Sequence, residues 1–110
     1  MKLQTAANAI CKQYEVKTVP IKTSVKVARG GAIYHTYRIK RDGKISKTHH
    51  PRDITIYTWD AIKEHKGEVA YRLGHELAHH VENQKKGSLR HTQSMYDLEE
   101  RIARKLTKIL

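Results

Sequence analysis

The stretch His75-Glu76-Leu77-Ala78-His79 constrains this chain more than any other. It reads HExxH, and the residues on either side, Glu68 to Gly74 and His80 to Asn83, extend it into one helix of about 68–85. Val69, Leu73, Leu77 and Val81 form an apolar stripe along that helix. Ala70, Gly74 and Ala78 form a second stripe of small residues, where another element can come close. A helix apolar on two sides has to be packed into a domain, with its histidines facing a cleft. Positions i and i+4 lie one turn apart on the same helix face. Two imidazoles so placed can hold one zinc ion, and the Glu between them can take a proton from a water at the metal. A His-rich helix with partly solvated imidazoles is the plainer alternative, and the two apolar stripes argue against it. Gly74 costs a helix roughly 1 kcal/mol relative to Ala, so its place beside His75 points to a close contact there.

The rest of the chain supplies an α+β frame. Leu3, Ala6, Ala7, Ile10, Cys11 and Tyr14 recur at helical spacing and predict an amphipathic helix over 2–15. Val19, Ile21, Thr23, Val25 and Val27 alternate with polar residues, as a half-buried strand does. Arg29-Gly30-Gly31 turns the chain into a second alternating segment, Ile33 to Lys40. Asp42-Gly43 is a hairpin signal leading to a short third strand, Lys44 to His49. His50-Pro51 breaks it, and Asp53 to Trp59 reads as a fourth strand. Asp60 can cap a short helix, Ala61 to His65. The HExxH helix ends at Lys85-Lys86-Gly87-Ser88, and a last helix over 92–109 carries Leu98, Ile102, Leu106 and Ile109 on its core face. The expectation is a single domain over 1–110: an N-terminal helix, a small antiparallel sheet of three to four strands, the HExxH helix and a C-terminal helix.

A catalytic zinc usually has three protein ligands and one open position. His91 lies beyond the turn after the HExxH helix, where a helical hairpin can return it over the metal. Glu99 or Glu100, farther along the last helix, is the competing third ligand, although both acids can equally form i,i+4 pairs on a solvated face. His80 sits about 100° round the helix from His79 and reads as a packed or supporting residue. His35, His49, His50 and His65 fit neither pattern and read as surface or loop residues.

With His91-Thr92-Gln93-Ser94-Met95 opening the last helix, the chain resembles the SprT-like (Spartan-type) zinc metallopeptidases. Their pattern is HExxH, a loop, and a His followed four positions on by a bulky residue, often as H-G-x-x-F. Met95 stands where the Phe would be and Thr92 where the Gly often is. The resemblance follows the order of elements through most of the chain, and about 25 residues carry it at motif level. It implies a zincin-like domain with zinc on His75, His79 and His91 and Glu76 as general base. It also implies an extended peptide substrate along Ile54, Ile56 and Tyr57, because the family places its active-site strand there. Glu99 is similar in spacing to the third ligand of gluzincins, though the Asp often found after that Glu is absent. A minimal, latent gluzincin is therefore the second choice.

Charge bears on partners. The formal net charge is +11, and residues 1–60 hold 12 Lys and Arg against 4 Asp and Glu. Such a surface favours polyanions, nucleic acid first. SprT-like peptidases often act on DNA-associated proteins, which fits this balance. With one Cys, Cys11, the chain has neither an internal disulfide nor the family's common C-terminal zinc ribbon. No apolar run approaches the roughly 20 residues needed to cross a bilayer, so the expectation is a cytoplasmic protein with no membrane partner. The expected activity is zinc-dependent cleavage of protein or peptide substrates. The alternative is a non-enzymatic nucleic-acid-binding module in which zinc is structural. Tyr96, Tyr57 and Tyr71 are candidate donors to a developing oxyanion.

Overall fold

A computed structural model describes residues 2–24, 34–39, 51–57 and 66–110. Three helices, α1 (Leu3–Gln13), α2 (Lys66–Lys86) and α3 (Gln93–Ile109), pack with three strands, β1 (Ile21–Ser24), β2 (Tyr34–Ile39) and β3 (Pro51–Tyr57). This is the α+β layout that the sequence predicts. The expected Asp42-Gly43 hairpin, the Lys44–His49 strand and the Ala61–His65 helix lie outside the described residues.

α1 buries Leu3, Ala6, Ala7, Ile10 and Cys11, the stripe expected from their spacing. It stops at Gln13, two residues early, because Glu15 takes a left-handed backbone (φ 56°). There the amide of Val16 donates to the carbonyl of Cys11 (3.0 Å), closing the helix end. The Gln4 side chain then ties α1 to the sheet. Its Nε2 donates to the Val19 carbonyl (3.1 Å), and its Oε1 accepts from the Ile21 amide (2.8 Å). Burial pushes the Cys11 thiol up to about 11, in keeping with a core residue.

The sheet departs from expectation. Its strand order is β1-β3-β2, with β3 parallel to β1 and antiparallel to β2, so it is mixed rather than antiparallel. β3 pairs from Ile21↔Ile54 to Ser24↔Tyr57 on one edge, and from Tyr34↔Tyr57 to Ile39↔Pro51 on the other. The physical reason lies in burial. Asp53, Ile54, Thr55 and Ile56 are all buried, so β3 is covered on both faces and takes the centre. Alternation identifies strands and their faces, but it does not say which strands become neighbours.

α2 lies against β2 and β3 and forms an antiparallel hairpin with α3. Val69, Leu73, Leu77 and Val81 are buried, as are Ala70 and Ala78 on the second stripe. Gly74 explains that stripe. A Cβ built there would lie 3.1 Å from both the Cβ and the backbone nitrogen of Ala103 on α3. Gly87 (φ 67°) ends α2, with its amide on the Asn83 carbonyl (2.8 Å). Thr92 caps α3 by accepting from the Met95 amide (3.2 Å). Met95, Leu98, Ile102 and Leu106 face the core.

Candidate metal centre

The α2/α3 hairpin brings His75, His79 and His91 together. One nitrogen from each lies within 4.8 Å of the others. The rings of His75 and His79 meet edge to face (centroids 4.7 Å apart), as do those of His79 and His91 (4.7 Å), while His75 and His91 stack at 5.3 Å. The Nε2 atoms of His79 and His91 face each other at 3.2 Å.

This spacing fits a shared cation. Two nitrogens bound at about 2.05 Å to one tetrahedral ion stand about 3.3 Å apart. The His79–His91 pair is already there. Because no pair of donor atoms exceeds 4.8 Å, seating the third imidazole takes a closure of at most about 1.5 Å. Among the described residues, the group of donors numbers three. Three donors leave a coordination position for water or substrate, and His91 opens that side to solvent.

The environment of His79 suits a ligand role. Burial is the largest cause holding the His79 pKa below its ordinary value, outweighing the opposing field of Glu76. His79 therefore stays in the neutral form that metals require. The tautomer of His75 is fixed by a carboxylate. Its Nδ1–H donates to Oε1 of Glu99 at 2.7 Å, because a carboxylate oxygen there can only accept. Among the described residues the buried Nδ1 of His79 has no hydrogen-bond partner.

The two acids weighed as alternative ligands thus separate. Glu99 is buried (5 % exposed) and orients His75 instead of joining the donor set. Glu100 points to solvent and pairs with Arg104 one turn on (2.5 Å). Glu76 is also buried, with Oε1 3.8 Å from His75 Nε2, beside the cluster. His80 belongs to the core. It is fully buried, and its Nε2–H donates to the carbonyl of Lys17 (2.6 Å).

The expected substrate strand needs correction. Ile54 and Ile56 are 0 % exposed, and both backbone edges of β3 are taken from Ile54 to Tyr57. A peptide cannot add to a strand whose amides and carbonyls already serve two neighbours. Of the tyrosines, Tyr96 stacks on His91 (centroids 6.0 Å, planes at 27°) and is 45 % exposed. Tyr71, one turn before His75 on α2, is also exposed. The side chain of Tyr57 lies outside the described residues.

Sequence reasoning missed Glu82 and Ser94, whose side chains meet across the hairpin (2.7 Å). The pairing of Glu82 with Lys86 was readable as an i,i+4 spacing, but the reach to Ser94 depends on how the turn is folded.

No protein-family model matches the chain, and neither a curated protein nor a solved structure matches it. No helix among the described residues is long and apolar enough to cross a membrane.

Proposed function

We propose that this chain is a minimal zinc-dependent endopeptidase of the SprT-like kind. The observation that carries the reading is the three-histidine cluster with a buried carboxylate, Glu76, between two of its members. His75, His79 and His91 would hold Zn²⁺. When bound, such an ion acts as a Lewis acid that acidifies water and polarises a carbonyl.

The chain's own residues account for the remaining steps. Glu76 accepts the proton of the water attacking the peptide carbonyl and passes it to the departing amine. Its burial keeps the carboxylate close to the reacting water and away from bulk solvent. Glu99 holds His75 by its Nδ1 and so fixes the ring's orientation and tautomer. Tyr96, stacked on His91 at the solvent-facing side, is the best-placed phenol to donate to a developing oxyanion. The minimal gluzincin reading is weaker, because it needs Glu99 or Glu100 as a ligand, and Glu99 is engaged with His75 Nδ1 while exposed Glu100 pairs with Arg104. The net charge of +11 supports recruitment to DNA-associated proteins, with electrostatic attraction bringing enzyme and substrate together.

The test is Glu76→Gln, assayed on casein and on a fluorogenic peptide library with and without DNA. The variant retains one zinc per chain and loses at least about 100-fold in cleavage rate. Equal cleavage by variant and parent would remove Glu76 from the mechanism. Absence of cleavage by the zinc-loaded parent on every substrate would favour a structural metal site.

A further inference from the structure

Two of the three donors ride on one rigid helix, so their spacing is set by helix geometry. The third does not. His91 sits in the non-helical segment between α2 and α3, and its reach depends on where that segment is pinned. Within the segment the hydrogen bonds are local: Arg90 N–H to Ser88 Oγ (3.3 Å) and Thr92 N–H to the Arg90 carbonyl (3.1 Å). These shape the turn, and its ties to α2 are the Gly87 amide on the Asn83 carbonyl (2.8 Å) at one end and His91 itself against His79 (3.2 Å).

A further tie crosses from the start of α3 to α2. Ser94, in the first turn of α3, donates its hydroxyl to Oε1 of Glu82 at 2.7 Å. Lys86, in the last turn of α2, reaches the other oxygen of Glu82 at 3.2 Å and Ser94 Oγ at 3.2 Å. Glu82 is 5 % exposed, one turn beyond His79 on the same helix. Keeping a carboxylate out of water is costly unless its oxygens are satisfied. Here both are, by groups from the two ends of the turn that carries His91. A charge-assisted hydrogen bond of this length is directional, so it fixes α3's first turn against α2 three residues from the third donor.

We propose that Glu82, Ser94 and Lys86 form a clamp that positions His91 for metal binding, with Ser94 as the positioning residue at its centre. The inference rests on the metal-site reading above and adds how its third ligand is held. The apparent affinity for the ion scales with the fraction of time His91 spends within reach. Breaking the clamp lowers that fraction, while the core packing of Met95, Leu98 and Ile102 still holds α3 in place.

The experiment uses the full chain and zinc alone, titrated in competition with a chromophoric chelator. Ser94→Ala is expected to bind zinc about tenfold more weakly than the parent, at the low end for residues that support a ligand. Its metal-free thermal melting falls slightly, because Oε1 of buried Glu82 loses a partner, while zinc affinity falls by more than that loss accounts for. Ser94→Thr, which keeps the hydroxyl, restores the affinity. Cobalt substitution adds a spectroscopic check, since a mispositioned His91 changes the visible bands of a four-coordinate site. Equal zinc affinity of Ser94→Ala and the parent would overturn the clamp and leave the metal site standing. Weaker binding that merely tracks a fall in metal-free stability would make Ser94 an ordinary structural residue, which also overturns it. Failure of the parent itself to bind zinc would instead overturn the reading on which the clamp rests.

Discussion

Replacing Gly74 with alanine tests how the helix crossing builds the site. The new Cβ would stand 3.1 Å from the Cβ and backbone nitrogen of Ala103 and 3.2 Å from its Cα. Carbon atoms at ease lie about 3.5–4.0 Å apart, so the helices must separate by several tenths of an ångström. No flexible side-chain end can move aside, because two of the three atoms met are backbone. Overpacking of this sort costs about 1–3 kcal/mol, and the gain in helix propensity returns roughly 1 kcal/mol. The net loss of stability is therefore modest, about 0–2 kcal/mol. The effect on metal binding is larger. Glu99 lies one turn before Ala103 on α3, and its 2.7 Å bond to His75, the neighbour of Gly74, spans the same crossing. Widening that crossing stretches the bond that orients His75, so zinc affinity falls about 10- to 100-fold. Adding Ala103→Gly removes one of the three contacts and recovers part of the loss. Paired measurements of urea unfolding and zinc competition supply the comparison. A Gly74→Ala protein that binds zinc as tightly as the parent would refute the idea that this crossing sets the geometry of the cluster.

Two further expectations separate ligands from supports and probe the core. His91→Ala should abolish stoichiometric zinc binding, whereas Glu99→Ala should still take up one zinc at saturation with affinity reduced about 10- to 100-fold; elemental analysis at high and low free zinc reads the difference. His80 is held below its ordinary pKa by burial, despite its bond to the Lys17 carbonyl. The unfolded chain therefore takes up a proton below about pH 6.5 that the folded chain refuses. The stability of metal-free protein is thus full above that pH and falls as pH drops through it, a trend that urea melts at pH 7.5 and pH 5.0 would reveal. A stability that rises on acidification over this range would contradict the burial assigned to His80.

The helices were legible in the sequence because burial imposes a 3.6-residue period on them. α2 and α3 fall within two residues of their expected ends, since Gly87 and Thr92 are ordinary stop and start signals. Gly74 signalled a close approach, and its neighbour proved to be Ala103. The HExxH spacing nominated His75 and His79, the His beyond the following turn was preferred to Glu99 or Glu100 as the third donor, and these three residues converge. Long-range pairings were harder to read. The period of two in β1 and β3 gives the face of each residue, but strand order is decided by which strand can be covered on both sides. That is why the antiparallel sheet and the substrate-bearing role of Ile54, Ile56 and Tyr57 did not hold. Glu99 illustrates the same limit. Its position suggested proximity to the metal, but only the hairpin geometry distinguishes a carboxylate that touches His75 Nδ1 from one that joins the donor set.

The placement of the three donors also bears on what a chelator can do to this protein. His79 and His91 are only 12 residues apart, and the helices they join are already held by an apolar interface from Leu73 to Leu106. An ion held only by the folded chain would add to its stability by mass action, but the apolar interface between the helices forms from residues that need no ion. If the cluster holds an ion as proposed, stripping it would lower stability and remove the proposed activity, yet resupplying it would find the two helices still side by side.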